Sequence, residues 1–183
     1  MVQLRARPKK TVEDYLRLPD TVRAELIDGE FFVSPSPTPR HQDIVLKLSM
    51  ILFSFLESKR LGKLFIAPLD VVLPSQEVVQ PDLVVVLLAN QAIIQDRIRG
   101  VPDLVIEVLS QEAPERDRIV KRDLYAKNRV REYWIVDDAT RSIEVLHLAG
   151  GRYEPHGYFQ EDDSLVSPLL EGLKLPISKA LAR

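Results

Sequence analysis

The chain has 183 residues, 45% of them hydrophobic and 28% charged, with a formal net charge of −2. That is enough for one well-buried core rather than two domains, and the slightly acidic balance argues against a generally basic nucleic-acid binder. The absence of cysteine excludes disulfides and thiolate zinc or iron–sulfur sites, leaving any metal to oxygen or imidazole ligands.

Residues 1–10 carry Arg5, Arg7, Lys9 and Lys10 without an acid and read as a solvated arm, with phosphate contact as the alternative. Thr11 to Arg17 can form a short helix, and Ala24 to Val33 reads as a hairpin turning at Asp28-Gly29. After the Pro-rich break at Ser34 to Pro39, Ile44, Val45, Leu48, Ile51, Leu52, Phe55 and Leu56 recur at helical spacing, predicting an amphipathic helix from Arg40 to about Lys59.

A strand over Leu64 to Leu73, a turn at Pro74 to Glu77 and a strand over Val78 to Leu87 follow, an order that suggests an antiparallel pair. A polar linker, Gln91 to Gly100, leads to a strand over Val101 to Leu109. Pro114 then opens a second helix running to about Asn128. Glu132 to Asp137 is a further strand, which the helical crossover makes parallel to the preceding one, and Ser142 to Leu148 pairs with it. The remaining tail reads as peripheral. The longest apolar stretch, Leu83 to Ala89, is too short to span a bilayer, so no membrane partner is expected. With no secretion pattern at the N-terminus, a cytoplasmic location is expected. Two methionines and no cysteine leave few thermolabile residues, as in heat-tolerant sources.

Two of these strands each carry one carboxylate inside a Val/Leu/Ile-rich run, Asp82 and Glu107. Such runs belong to strands covered on both faces, where an unpaired charge costs several kcal/mol. The two acids are therefore partnered or share a cation, and Mg2+, with Mn2+ as the alternative, suits one or two carboxylates that leave room for water and phosphate oxygens. Asp103 lies four residues from Glu107, roughly 13 Å along a strand, too far for the same ion, and reads as a strand-start residue. On the second helix Val120 and Leu124 mark the buried stripe. Lys121, beside Asp117, Tyr125 and Asn128, is the cation best placed to reach inward and stabilise charge on a phosphate. Otherwise it is an ordinary lysine extending to water. His41, in line with Ile44, Val45 and Leu48, either points into the same cleft or packs as a core histidine, and Glu25 either adds a carboxylate from the hairpin or faces solvent. Between Glu115 and Arg131 seven basic residues, among them Arg116, Arg118 and Arg122, face three acids. They form a patch suited to a polyanion, with DNA as the leading substrate.

The ordered set Pro81-Asp82, Glu107-Val108-Leu109-Ser110, Asp117/Lys121/Tyr125 and Glu132-Tyr133-Trp134-Ile135-Val136-Asp137 resembles the restriction-endonuclease-like family of bacterial proteins within the PD-(D/E)XK nuclease superfamily. Glu25 to Glu30 and Ser36 to His41 extend the likeness over roughly residues 20–155. The resemblance implies an α/β fold, a mixed β-sheet core in the order αβββαβ flanked by helices with an extra N-terminal hairpin. It divides the chain into an N-terminal arm and short helix (1–19) and a single nuclease-like domain (20–183). It further implies a DNA endonuclease in which Asp82, Glu107 and the Val108 carbonyl hold Mg2+. The superfamily expects a lysine where this chain has Leu109, and relatives supply it from the following helix, the role that falls to Lys121. Two strand cuts need two sites, so a homodimer is expected. The alternative function is a catalytically inactive nuclease-fold module binding nucleic acid or a protein partner, with Leu109 the sign of lost chemistry. RNA cleavage is a third reading. Phosphate-binding glycine loops, nucleophile elbows and zinc-protease helices are absent from the sequence.

Overall fold

The structure, a computed structural model, describes residues 8–19, 21–33, 35–110 and 114–182, so Arg5 and Arg7 of the basic arm lie outside the described residues. Thr11 opens α1 (Val12–Tyr15) with a capping box in which its hydroxyl accepts from the Asp14 amide while the Asp14 carboxylate accepts from the Thr11 amide. The hairpin is β1 (Ala24–Ile27) and β2 (Glu30–Val33), with Ile27 paired to Glu30. Asp28 and Gly29 both have positive φ, 50° and 78°, as the tight turn matching strand twist requires. Thr38 caps α2 (Pro39–Lys59), whose buried stripe is Ile44, Val45, Leu48, Leu52 and Leu56.

The principal sheet has six strands in the order β11-β10-β9-β8-β6-β3, namely β3 (Gly62–Ile66), β6 (Leu83–Leu87), β8 (Leu104–Val108), β9 (Glu132–Asp137), β10 (Ser142–Ala149) and β11 (Arg152–Phe159). β8 and β9 are parallel, joined through α3 (Arg122–Lys127), while β3/β6 and β6/β8 are antiparallel. In chain order α2, β3, β6, β8, α3 and β9 reproduce αβββαβ. A second sheet, β2-β1-β5-β4-β7, is built from the hairpin plus β4 (Val71–Val72), β5 (Val78–Val79) and β7 (Ile98–Arg99).

Three expectations are corrected. The runs over Leu64–Leu73 and Val78–Leu87 are each two strands: β3 and β6 belong to the principal sheet, β4 and β5 to the small one. Pro68 and Pro81 sit at the crossings, where a residue without an amide donor cannot continue a ladder. The helix that Pro114 opens is not α-helical throughout, because it passes through a π-helical segment, Arg116–Lys121, before continuing as α3. The tail is core rather than periphery: β12 (Ser164–Leu165), β13 (Leu175–Pro176) and α4 (Ile177–Ala180) bury Leu165, Leu175, Ile177 and Ala180 against the α2 face of the sheet.

The tail is fixed by Glu132, fully buried, which accepts from the Trp134 indole at 2.6 Å, the Ser167 hydroxyl at 2.7 Å and the Leu169 amide at 2.9 Å. Glu132→Ala strands all three donors and is expected to cost about 2–3 kcal/mol. Urea unfolding followed by the lone tryptophan's emission measures this, and an unchanged midpoint would refute the clamp. Among the described residues no helix is long and apolar enough to cross a membrane.

Candidate active site

β6 and β8 are buried on both faces. Leu83, Val85, Leu104, Ile106 and Val108 pack toward α2, whereas Val84, Val86 and Val105 pack with Tyr125, Tyr133 and Ile135 on the α3 side. Strand alternation puts Asp82 and Glu107 on that second face. The Leu83–Ile106 pairing makes them cross-strand neighbours, a position where side chains interact directly. The structure therefore brings the two acids side by side on one face of the sheet.

Asp82, at the crossing between sheets, accepts on Oδ2 from the Val108 amide at 2.8 Å and from His41 Nε2 at 3.1 Å. Glu107 accepts on Oε1 from Lys121 Nζ at 2.8 Å and the Tyr125 hydroxyl at 2.7 Å. Lys121 Nζ also lies 2.9 Å from Glu25 Oε1 and 3.5 Å from Asp117 Oδ1. Glu25 Oε1 accepts the Gln80 amide at 2.9 Å, tying the accessory hairpin to the segment that presents Asp82. Asp103, set apart from the ion by distance, is buried and accepts from the Leu87 amide and Asn90, closing the far end of β6. Leu109 packs among the apolar residues of the α3 side.

Four carboxylates (Asp82, Glu107, Glu25, Asp117) thus face one lysine and one histidine in a nearly dry space. Burial pushes the Glu107 carboxyl well up; Lys121 opposes the rise, and Asp117, Asp82 and Glu25 add to it. Asp117 is raised by burial as well. For Lys121 burial acts to deprotonate, but Glu107, Glu25 and Asp117 outweigh it and hold the ammonium well above its ordinary value. His41 is raised because Asp82 and the nearby Val108 carbonyl outweigh its burial. The His41 Nδ1 atom is buried without a hydrogen-bond partner among the described residues.

These residues fit a divalent cation in three ways. Among the described residues, the hydrogen bonds to the two acids fall on one oxygen of each, Oδ2 of Asp82 and Oε1 of Glu107, which leaves Oδ1 and Oε2 to face a ligand. The Val108 carbonyl lies beside the same histidine and aspartate. Carboxylates outnumber cations, so a divalent ion would relieve a charge imbalance that otherwise requires protonation. Among the described residues no group of three or more His, Cys, Asp or Glu side chains is placed to hold a metal ion, so side chains alone would offer an ion no more than the two carboxylates. An open set of two carboxylates and a carbonyl suits Mg2+, which keeps water ligands.

The basic residues singled out in the sequence have separate fates. The Arg116 guanidinium lies 4.9 Å from the centre of the Phe32 ring, Arg118 is paired to Asp137 at 2.7 Å, and Arg122 lines an open groove on the outer side of α3. Sequence reasoning set Asp117 and Tyr125 beside Lys121 without giving them a role. Their four-residue spacing, Asp117, Lys121, Tyr125, is the signal that places all three on one helical face. The π-helical turn carries the first two of them, a local geometry frequent at functional sites.

The sequence profile of the Uma2 family, described as "Putative restriction endonuclease", matches residues 12–178. Among solved structures, "a putative nuclease belonging to DUF820 from Anabaena variabilis ATCC 29413" superposes with a TM-score of 0.79 at 20% sequence identity, covering 94% of this chain and 97% of that one. At that identity the likeness concerns the fold. No curated protein matches the chain.

Proposed function

Because the chain belongs to the Uma2 family of restriction-endonuclease-like proteins, we propose that it is a metal-dependent phosphodiesterase, a DNA endonuclease using Mg2+ or Mn2+ held by Asp82, Glu107 and the Val108 carbonyl. The observation that carries this reading is the pairing of Asp82 with Glu107 on one face of the sheet, with the Lys121 ammonium 2.8 Å from Glu107. When bound, the ion would polarise a phosphoryl oxygen and acidify a water. Lys121 supplies a fixed positive charge at the point where negative charge develops on the phosphate, a preorganised arrangement that needs no rearrangement during reaction. Tyr125 and Gln80 fix the acids that hold Lys121, Tyr125 through Glu107 and Gln80 through Glu25. His41 fixes Asp82 and presents a second, titratable donor beside it. A cytoplasmic homodimer acting on both strands belongs to the same proposal.

Plasmid nicking tests it. Supercoiled DNA is expected to be nicked with Mg2+ or Mn2+, not in EDTA, and about a hundredfold or more slowly by Asp82→Asn. Cleavage that survives either change would remove the proposal.

The second reading, a non-cutting module that binds nucleic acid or a protein, is favoured by one observation. Lys121 is already engaged by Glu107, Glu25 and Asp117, and position 109, where a second lysine would stand, is an apolar leucine. Metal binding by the wild type without nicking under either ion would select it.

A further inference from the structure

The outer side of α3, opposite Lys121, holds a groove of about 490 Å³ between that helix and the start of β11. Its floor is Ala126 and Tyr153, the latter fixed by its hydroxyl donating to the Val130 carbonyl at 2.9 Å. Four cations, Arg118, Arg122, Lys127 and Arg152, and one acid, Asp123, line it. Arg118 is spent on Asp137, but the other three are held loosely. Arg122 has no ion pair among the described residues. Lys127 reaches Glu77 only at 3.4 Å with its side chain 64% exposed, and Arg152 reaches Glu154 only at 3.7 Å while 82% exposed. The exposed Arg152–Glu154 pair contributes little to stability and can be exchanged for a phosphate, and the exposed Lys127 ammonium, with two further donors beyond the one aimed at the buried Glu77, can turn one of them to a phosphate. At the rim Gly151 has φ 83°, with nothing within 4 Å of the position a Cβ would take. A ligand can therefore approach bare backbone there.

We propose that this groove is a second docking site on the enzyme, for the phosphodiester backbone of the DNA whose cleavage the first site performs; it rests on the DNA reading above. Spacing favours a nucleic acid over an isolated anion. Arg122 and Lys127 are five residues apart, roughly 7.5 Å along the helix, close to the ~7 Å between neighbouring phosphates on a strand that winds while rising ~3.4 Å per nucleotide. Continuity favours the same polymer for both sites. Arg122 directly follows Lys121, so a helix about 10 Å thick is all that separates the groove from the carboxylates. A duplex carrying a charge every ~1.7 Å can touch both flanks. The groove supplies position rather than sequence, since charged side chains on phosphates carry no base information.

The test is DNA binding in EDTA, where no turnover occurs, by fluorescence anisotropy of a labelled duplex between 50 and 200 mM salt. Removing three phosphate contacts with Arg122→Ala, Lys127→Ala and Arg152→Ala together is expected to lower the slope of log affinity against log salt by about 2.7. The effect of a fourfold rise in salt then shrinks about fortyfold. The Arg122→Lys and Arg152→Lys pair is expected to keep the wild-type slope, and Mg2+ binding to the triple variant, measured by calorimetry, is expected to be unchanged. A triple variant that binds DNA with the wild-type slope overturns the groove while leaving the nuclease reading intact. A wild type that binds Mg2+ but no duplex at any salt overturns the DNA reading and the groove with it. Equal salt-dependent binding of polyglutamate would reassign the groove to acidic protein and overturn the proposal.

Discussion

Lys121→Met is expected to destabilise the metal-free protein by about 3–5 kcal/mol, the cost of removing one partner of a buried ionic cluster, lowering the melting temperature by about 10 °C. The side chain is 7% exposed and its ammonium sits within 2.9 Å of both Glu107 and Glu25 and 3.5 Å from Asp117. Methionine keeps most of the volume, so the loss is electrostatic: three carboxylates are left facing one another without a cation in a low-dielectric space. Two companion measurements separate this from a packing defect. Adding Glu107→Gln to Lys121→Met is expected to recover part of the loss, because the leftover charge is removed with its partner. Saturating Mg2+ is expected to stabilise the single variant by about 2–3 kcal/mol at a hundredfold excess over its dissociation constant. Denaturation in urea gives all three numbers. If Lys121→Met unfolds within about 1 kcal/mol of wild type, the lysine is not the internal counter-ion of the cluster.

The parts of the fold readable from sequence are those in which local pattern and tertiary role agree. Thr38 before an apolar 3.6-residue period gives α2, Asp28-Gly29 between short apolar runs gives the hairpin, and the helical crossover dictates that β8 and β9 be parallel. The breaks at Pro68 and Pro81 are invisible in the hydrophobic pattern. Val71 and Leu73 are as buried as Leu83 to Val86, although they lie on different sheets, and pairing between remote strands decides which sheet each joins. The tail does not read as core because its leucines follow neither period. They are buried one by one against a surface that exists only once the sheet has formed.

At the site, burial physics sufficed for Asp82 and Glu107, since a charge in an apolar run demands a partner. Helical spacing sufficed for Lys121, with Asp117 and Tyr125 on the same face. Glu25 could be weighed only between two environments, because its contacts, Lys121 and the Gln80 amide, are 96 and 55 residues away in the chain. Its burial, to 3% exposure, follows from the small sheet folding over the larger one, which no local pattern encodes. The same holds for Arg118, whose charge looked available until β9 and β10 supplied Asp137 and Glu144.

Glu107→Gln is expected to abolish Mg2+ binding and nicking while leaving the metal-free protein about as stable as wild type near neutrality and more stable by about 1 kcal/mol at higher pH. The amide retains an acceptor at Oε1 for Lys121 and Tyr125 and deletes one charge from a cluster holding too many. The sign follows from proton counts. Burial raises the Glu107 carboxyl well above its ordinary 4.5, so from about pH 4.5 upward the folded chain binds more protons than the unfolded one. Stability must then fall as pH rises through that window. The glutamine variant lacks the titrating group and is expected to show a flatter pH profile, crossing the wild type as the solution becomes neutral. Mg2+ should restore the wild type at the high-pH end, since a bound cation replaces the protons, and do nothing for the variant. Melting curves from pH 4.5 to 8 with and without Mg2+, beside a calorimetric titration of the metal, decide the matter. A variant that is less stable than wild type throughout and still binds the ion would mean that Glu107 is a structural partner of Lys121 and not a metal ligand.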